Sequence, residues 1–218
     1  MDCPLFKDCT PAELELFFRE APCRRKSFEK GALLLHQGEE VSWAGILLSG
    51  RIKACHLTEN GSQHVQALLS PGDMFGYVLM STEESRSPVT LEALSTGEAL
   101  YVPFAAIMGR RDVLGDKLRV NLLHALSRRC WSLTRRVRYL SQRSLRGRIS
   151  LYLLDQRERT GSLSFCLPLT REELAALLAV NRSALSRELG RMEQEGLLAR
   201  YKNAFKLLDI PALERAAQ

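Results

Sequence analysis

Residues 170–195 read Thr170-Arg171-Glu172-Glu173-Leu174-Ala175-Ala176-Leu177-Leu178-Ala179-Val180-Asn181-Arg182-Ser183-Ala184-Leu185-Ser186-Arg187-Glu188-Leu189-Gly190-Arg191-Met192-Glu193-Gln194-Glu195. The pattern is two short helices joined by a tight turn. Thr170 is placed to accept from the free amides of the first turn, and Glu173 to reach back and complete a capping box. Leu174, Leu177 and Leu178 recur on one helical face, and Ala175 and Ala179 are small enough for a second helix to cross closely. The second helix turns Leu185, Leu189 and Met192 inward. Arg182, Ser183, Ser186, Arg187 and Gly190 are left outward near its start. A helix that enters the major groove by its N-terminal end needs this: arginines that can pair bidentately with guanine, and a positive helix end facing phosphate.

Gly196 stands where a C′ glycine ends such a helix. Two β-prone runs follow, Leu198–Tyr201 and Phe205–Leu208, on either side of Lys202 and Asn203. The whole predicts a winged helix-turn-helix with Thr170, Arg171, Asn181, Arg182, Ser183, Ser186, Arg187 and Lys202 at the nucleic acid.

Charge is distributed unevenly around this element. Residues 1–109 carry 9 Lys or Arg against 14 Asp or Glu; residues 110–160 carry 14 against 4; residues 161–218 carry 8 against 7. A net charge of +6 therefore hides an acidic first half and a strongly basic middle. That asymmetry suits a regulatory half joined through a basic segment to something that meets polyanions. No apolar run approaches the roughly 18 residues of a membrane span, and the start Met-Asp-Cys-Pro-Leu-Phe lacks signal-peptide regions, so a cytoplasmic protein with no membrane partner is expected. The six cysteines, at 3, 9, 23, 55, 130 and 166, form no Cys-x-x-Cys pair and are expected as free thiols in a reducing compartment.

Toward the N-terminus, Thr10-Pro11-Ala12-Glu13 is a second helix start, with proline at the first helical position and Glu13 closing a capping box. After Pro22 the chain breaks into short β-prone runs: Lys26–Phe28, Ala32–His36, Gly45–Leu48, Arg51–Leu57, His64–Leu69, Val89–Leu94 and Ala99–Val102. Asn60-Gly61 supplies a hairpin turn and Pro71-Gly72-Asp73 a loop. Many short strands at near-regular spacing predict a small antiparallel barrel or jelly roll. From about Asp112 to Leu140 a single long helix is expected. Along it Leu123, Leu126, Cys130, Leu133, Val137 and Leu140 follow the alternating spacing of a coiled-coil seam, which predicts pairing with a second copy of the chain. A further amphipathic helix carries Leu145, Ile149, Tyr152 and Leu153.

Barrel, long helix and winged helix-turn-helix, in that order, resemble the family of the cyclic-AMP receptor protein and the fumarate-nitrate reductase regulator (Crp/Fnr). The likeness rests on Lys30-Gly31, His36-Gln37-Gly38, Leu48-Ser49-Gly50-Arg51, Asn60-Gly61, Pro71-Gly72-Asp73-Met74-Phe75-Gly76 and Asn181-Arg182-Ser183-Ala184-Leu185-Ser186-Arg187. It implies an α+β chain: a cyclic-nucleotide-binding-like jelly roll (1–111), a dimerisation helix (112–140) and a winged helix-turn-helix (141–218). It also implies a homodimer on a palindromic double-stranded operator, with RNA polymerase as partner. Small-molecule sensing is expected at Gly76, Tyr77, Val78, Leu79, Met80, Arg86, Ser87 and Thr90, against Leu122 and Leu126 of the long helix.

The sequence departs from the family pattern in two places, the sensor segment and the recognition helix. Tyr77 stands where cyclic-nucleotide members carry a glutamate for the ribose, and Ser87-Pro88 where they carry an arginine pair for the phosphate, with Arg86 one residue early. A buried phosphate without a bidentate partner is poorly compensated. An effector other than cyclic AMP follows. Ser183 replaces the usual glutamate of the recognition helix, and serine selects less sharply among bases. The alternative on the same scaffold is a thiol, iron-sulfur or haem sensor. The gaps between Cys3, Cys9 and Cys23 fit poorly with cluster runs, and Cys55-His56 and His64 lie on hairpin strands, where a lone Cys-His pair reads more simply as strand residues than as haem ligands. No Ser-His-Asp arrangement, phosphate loop or zinc spacing is present, so no catalytic residue, metal or fixed cofactor is expected.

Overall fold

The computed structural model describes residues 3–57, 63–81, 85–167 and 169–218. The expected Asn60-Gly61 turn and the side chain of Met80 lie outside that set. The chain divides into two compact units, Met1–Cys130 and Trp131–Gln218.

In the first unit, helix α1 (Pro11–Glu20) begins with the full Thr10/Glu13 capping box that the spacing predicts. Strands β1 (Arg24–Phe28), β2 (Leu33–Leu35), β3 (Trp43–Ser49), β4 (Ile52–Leu57), β5 (Gln63–Leu69), β6 (Met74–Phe75), β7 (Thr90–Ala93) and β8 (Gly97–Pro103) make two four-stranded antiparallel sheets. One sheet runs β1-β8-β3-β6 and the other β2-β7-β4-β5. The first is buried on both faces, because successive residues of a strand point opposite ways. On β8, Ala99 and Tyr101 join the core with Leu35, Leu47, Ile52 and Leu91, whereas Leu100 and Val102 join the core with Phe17, Ile107 and Leu118. Strand β6 has two residues, too few for any period to register in the sequence.

Short helix α2 (Phe104–Met108) leads into α3 (Val113–Leu140). Leu114, Leu118, Leu122 and Ala125 bury one face of α3. Beside them the buried Asn121 amide donates to the carbonyls of Leu5 (3.0 Å) and Lys7 (2.7 Å), tying the N-terminal segment to the helix. The expected seam lies on another face. Leu123 is 61% exposed, Leu133 43% and Val137 68%, Cys130 is exposed, and only Leu126 packs on the first unit's core.

The second unit places α4 (Leu145–Thr160), α5 (Arg171–Leu177), α6 (Arg182–Gln194) and α7 (Ile210–Ala216) around a three-stranded sheet, β10-β11-β9. Its strands are β9 (Ser164–Cys166), β10 (Leu198–Tyr201) and β11 (Ala204–Leu207). Leu153, Leu174, Leu178, Leu185, Leu189, Met192, Phe205 and Leu213 form one core. Helix α4 departs from its simple amphipathic reading, since Ser150, Asp155 and Gln156 are buried as well. The Asp155 carboxylate accepts from the Tyr139 hydroxyl at 2.8 Å and lies 3.4 Å from Arg138. Strand β9 and helix α7 are additions to the sequence reading.

Candidate nucleic-acid interface and effector segment

The Thr170/Glu173 capping box starts α5, with the Glu173 amide 3.2 Å from the Thr170 hydroxyl and the Thr170 amide 2.7 Å from the Glu173 carboxylate. Ala175 is buried where the helices cross. Ala179 is not at that crossing as the spacing suggested: it lies in the turn, exposed, with φ of 53°. Helix α5 stops at Leu177, one residue before the last leucine of the pattern, with Leu178 as its C-cap.

Asn181 caps α6, accepting from the Ala184 amide at 2.7 Å and from the Ser183 hydroxyl at 2.9 Å. With its proton so engaged, the Ser183 oxygen faces outward as an acceptor. Leu185, Leu189 and Met192 have no exposure, which leaves Arg182, Ser183 and Arg187 on the open side and Ser186 half-buried beside them. Arg182 lies 3.8 Å from Glu172, and with both side chains about two-thirds or more in solvent the pair holds it weakly. Gly190 faces the wing, where the nearest atom to a Cβ there would be the Arg200 guanidinium at 3.7 Å.

The wing is the β10–β11 hairpin, with Tyr201 paired to Ala204 and a two-residue turn at Lys202-Asn203. Lys202 adopts φ of 51°. Tyr201, 74% exposed, stands beside Lys202, whose ammonium is 5.5 Å from the ring centre. Tyr201 was missed in the sequence reading; its signal was an aromatic at the last strand position before the turn. Arg171 is turned onto the wing. Its guanidinium donates to the Lys202 carbonyl at 2.6 Å and stacks 4.8 Å above Phe205, and burial lowers its pKa. Thr170 is exposed at the same helix start.

Much of the basic surplus of residues 110–160 is spent inside the protein. Arg136 donates to the Ala176 carbonyl and Arg148 to the Leu178 carbonyl, both at 3.1 Å, satisfying the C-terminal end of α5. Arg146 grips Glu195 through two nitrogens, at 2.6 and 2.8 Å, and Glu188 through a third at 2.7 Å, joining α4 to the recognition helix. Those two carboxylates raise its pKa, that of Glu195 first.

The expected effector residues are brought together only in part. Tyr77, Leu122 and, at the edge, Leu126 share one core cluster, while Leu79 packs on the other side of the sheet and Val78 is 45% exposed. Arg86 donates to the Gly38 carbonyl at 3.0 Å. The buried Ser87 hydroxyl donates to the Val89 carbonyl at 2.7 Å, and the buried Thr90 hydroxyl accepts from the Gln37 amide at 3.1 Å. Gly76 makes the turn with φ of 75°. Burial raises the Tyr77 phenol, and the nearby Arg129 guanidinium offsets part of that shift. Arg129 is a cation the sequence reading did not single out. Among the described residues, no group of three or more His, Cys, Asp or Glu side chains could hold a metal. No helix of those residues is long and apolar enough to cross a membrane.

Residues 25–109 match the model of the cyclic nucleotide-binding domain, and residues 147–216 that of the Crp-like helix-turn-helix domain. The two matches fall on the jelly roll and on the winged unit, in the order that defines one kind of regulator. The chain belongs to the Crp/Fnr family. It is a DNA-binding transcription regulator with a sensory domain, and not an enzyme. Among Crp/Fnr relatives, the transcriptional activator protein FnrA of Stutzerimonas stutzeri is 27% identical over 95% of this chain and 88% of its own. Anr of Pseudomonas protegens is 28% identical over 95% and 88%. In fold, a mutant of CooA from Carboxydothermus hydrogenoformans aligns with TM-score 0.68 at 19% identity, over 97% of this chain and 92% of that one. The Thermus thermophilus catabolite activator protein aligns with TM-score 0.55 at 24% identity, over 98% of both.

Proposed function

We propose that this Crp/Fnr regulator works as a homodimer on a palindromic operator, with a sensor domain at 1–111, a dimerisation helix at 112–140 and a DNA-binding domain at 141–218. Two copies pair along Leu123, Leu126, Cys130, Leu133, Val137 and Leu140. The observation that carries this is the exposure of most of that seam while a different face of α3 is buried. A dimer then sets two α6 helices in successive major grooves, about 34–36 Å apart. Arg187 reads guanine, Arg182, Ser183, Ser186 and Asn181 reach neighbouring bases or phosphates, and Thr170, Tyr201 and Lys202 meet the backbone. Arg171 contributes by holding the wing to α5. Bound regulator then contacts RNA polymerase.

The jelly roll senses a small molecule other than cyclic AMP at the Gly76–Met80 segment. Val78, Arg86, Ser87, Thr90, Leu122 and Leu126 complete that region, and Arg129 supplies a cation. The Ser87 proton is already donated to the Val89 carbonyl, so that hydroxyl is not preset for a phosphate. Effector binding biases how the α3 helices pair, and with it the spacing of the recognition helices. A selection from randomised DNA tests the dimer: enrichment of an inverted repeat is expected, and a single unrepeated half-site would refute it. Titration calorimetry with cyclic AMP should show no micromolar binding.

A second reading, a redox sensor on the same scaffold, draws on Cys3, Cys9 and Cys23, which all pack on one core cluster. Burial lifts the Cys23 thiol to about 11 and raises Cys9, which works against thiolate chemistry. Relatives carry names such as anaerobic regulatory protein, so the visible spectrum of anaerobically purified protein is the separating measurement.

A further inference from the structure

On the first unit, away from the Tyr77–Leu122 cluster, strands β1, β3 and β8 border a cavity of about 340 Å³. Its walls include Arg24, Lys26, Glu39, Ser42, Trp43 and Tyr101. Two features distinguish it from ordinary surface relief. The Trp43 and Tyr101 rings meet edge to face, 4.7 Å between centres at 79°, and so form a right-angled aromatic corner. The Lys26 ammonium lies 5.4 Å from the Tyr101 ring centre. The second feature is a convergence of donors, of which those of Arg24, Lys26 and Ser42 are on solvent-exposed residues and those of Trp43 and Tyr101 on half-buried ones. Among the described residues none accepts a hydrogen bond from Arg24, Lys26, the Ser42 hydroxyl, the Trp43 indole or the Tyr101 phenol, and none of these five appears in any ion pair. The one carboxylate in the wall, Glu39, already accepts from the His36 amide at 2.9 Å.

A cavity at the small end of the ligand range, with a flat apolar corner, two cations and further free donors, fits an acceptor-rich molecule with a ring. We propose that it binds a small planar aromatic carboxylate, its ring packed into the Trp43/Tyr101 corner and its carboxylate between Arg24 and Lys26. Burial and the Glu39 carboxylate raise the Tyr101 phenol, which keeps it a neutral donor. The site also touches the sensory segment. A Cβ at Gly76 would lie 3.0 Å from the Trp43 carbonyl oxygen and 3.1 Å from its ring, and Phe75 packs edge to face on Trp43 at 5.8 Å. A ligand that moves Trp43 therefore bears directly on the turn that leads into Tyr77–Ser81. This site stands independently of the dimer and of the effector region proposed above.

The chain has two tryptophans, so Trp131→Phe leaves Trp43 as the sole reporter. In that background benzoate should quench Trp43 emission saturably. Benzamide, which keeps the ring without the charge, and acetate, which keeps the charge without the ring, should each need about tenfold more or fail to saturate. Replacing Arg24→Gln and Lys26→Gln together should raise half-saturation by benzoate about tenfold or more, with far-ultraviolet circular dichroism unchanged. The proposal is overturned if benzoate gives no saturable quenching. It is equally overturned if acetate or benzamide matches benzoate, or if the double variant binds benzoate as tightly as its parent.

Discussion

Replacing Leu133 by Glu should split the dimer, and the size of the effect follows from the exposure of the seam. Leu133 is 43% exposed in the single chain. Burying a whole leucine is worth about 1.5–3 kcal/mol, so completing its burial contributes about 1 kcal/mol per protomer and about 2 for the pair. The two glutamates would face each other across the two-fold axis of a seam with no room for water, adding a penalty of about 3 kcal/mol or more. A total of about 5 kcal/mol weakens association between a thousandfold and ten-thousandfold. A nanomolar dimer would then have a Kd of about 1–10 μM and be largely monomeric at submicromolar concentration, which sedimentation velocity reads directly. Trp131→Glu is the matched control: Trp131 is 66% exposed on the same helix but lies roughly 160° around the axis from Leu133. If Leu133→Glu stays dimeric, or if Trp131→Glu dissociates just as far, the interface is elsewhere.

Arg187→Ala should flatten preference at one symmetric pair of operator positions, costing about 1–3 kcal/mol at the preferred base; loss of salt dependence with sequence preference intact would assign Arg187 to a phosphate. Tyr139→Phe removes the 2.8 Å donor to the buried Asp155 carboxylate and should cost about 1.5–3 kcal/mol in urea unfolding, so an unchanged midpoint would show that bond to be idle. Glu13 is held at about 2, below its usual 4.5, by hydrogen bonds from Lys117 and then from the Thr10 amide. A carboxylate with a depressed pKa stabilises the fold above the unfolded value and loses that contribution as pH falls from about 4.5 through about 2. Thermal melts of the parent and Glu13→Gln should therefore differ at pH 6 and converge toward pH 2, and a gap that stays constant would count against the Glu13–Lys117 clamp.

Local chemistry was legible from residues alone wherever a structural rule acts over one helical turn or one strand. Thr10/Glu13 and Thr170/Glu173 form capping boxes because the reciprocal bonds span only three residues. The inward positions of α6 follow from helical period. What depended on distant partners could not be read. Ala179 looked like a crossing residue, yet α5 ends at Leu177 and Ala179 lies in a left-handed turn. The arginines of residues 110–160 looked like a basic segment joining the regulatory half to the polyanion-binding element. Tertiary structure assigned Arg136, Arg146 and Arg148 to carbonyls and carboxylates 30 to 49 residues away, because a buried helix end or carboxylate must be satisfied before any charge is free for DNA. The aromatic corner of Trp43 and Tyr101 is likewise a product of strand register, which sets side by side two residues that sequence separates by more than half a domain.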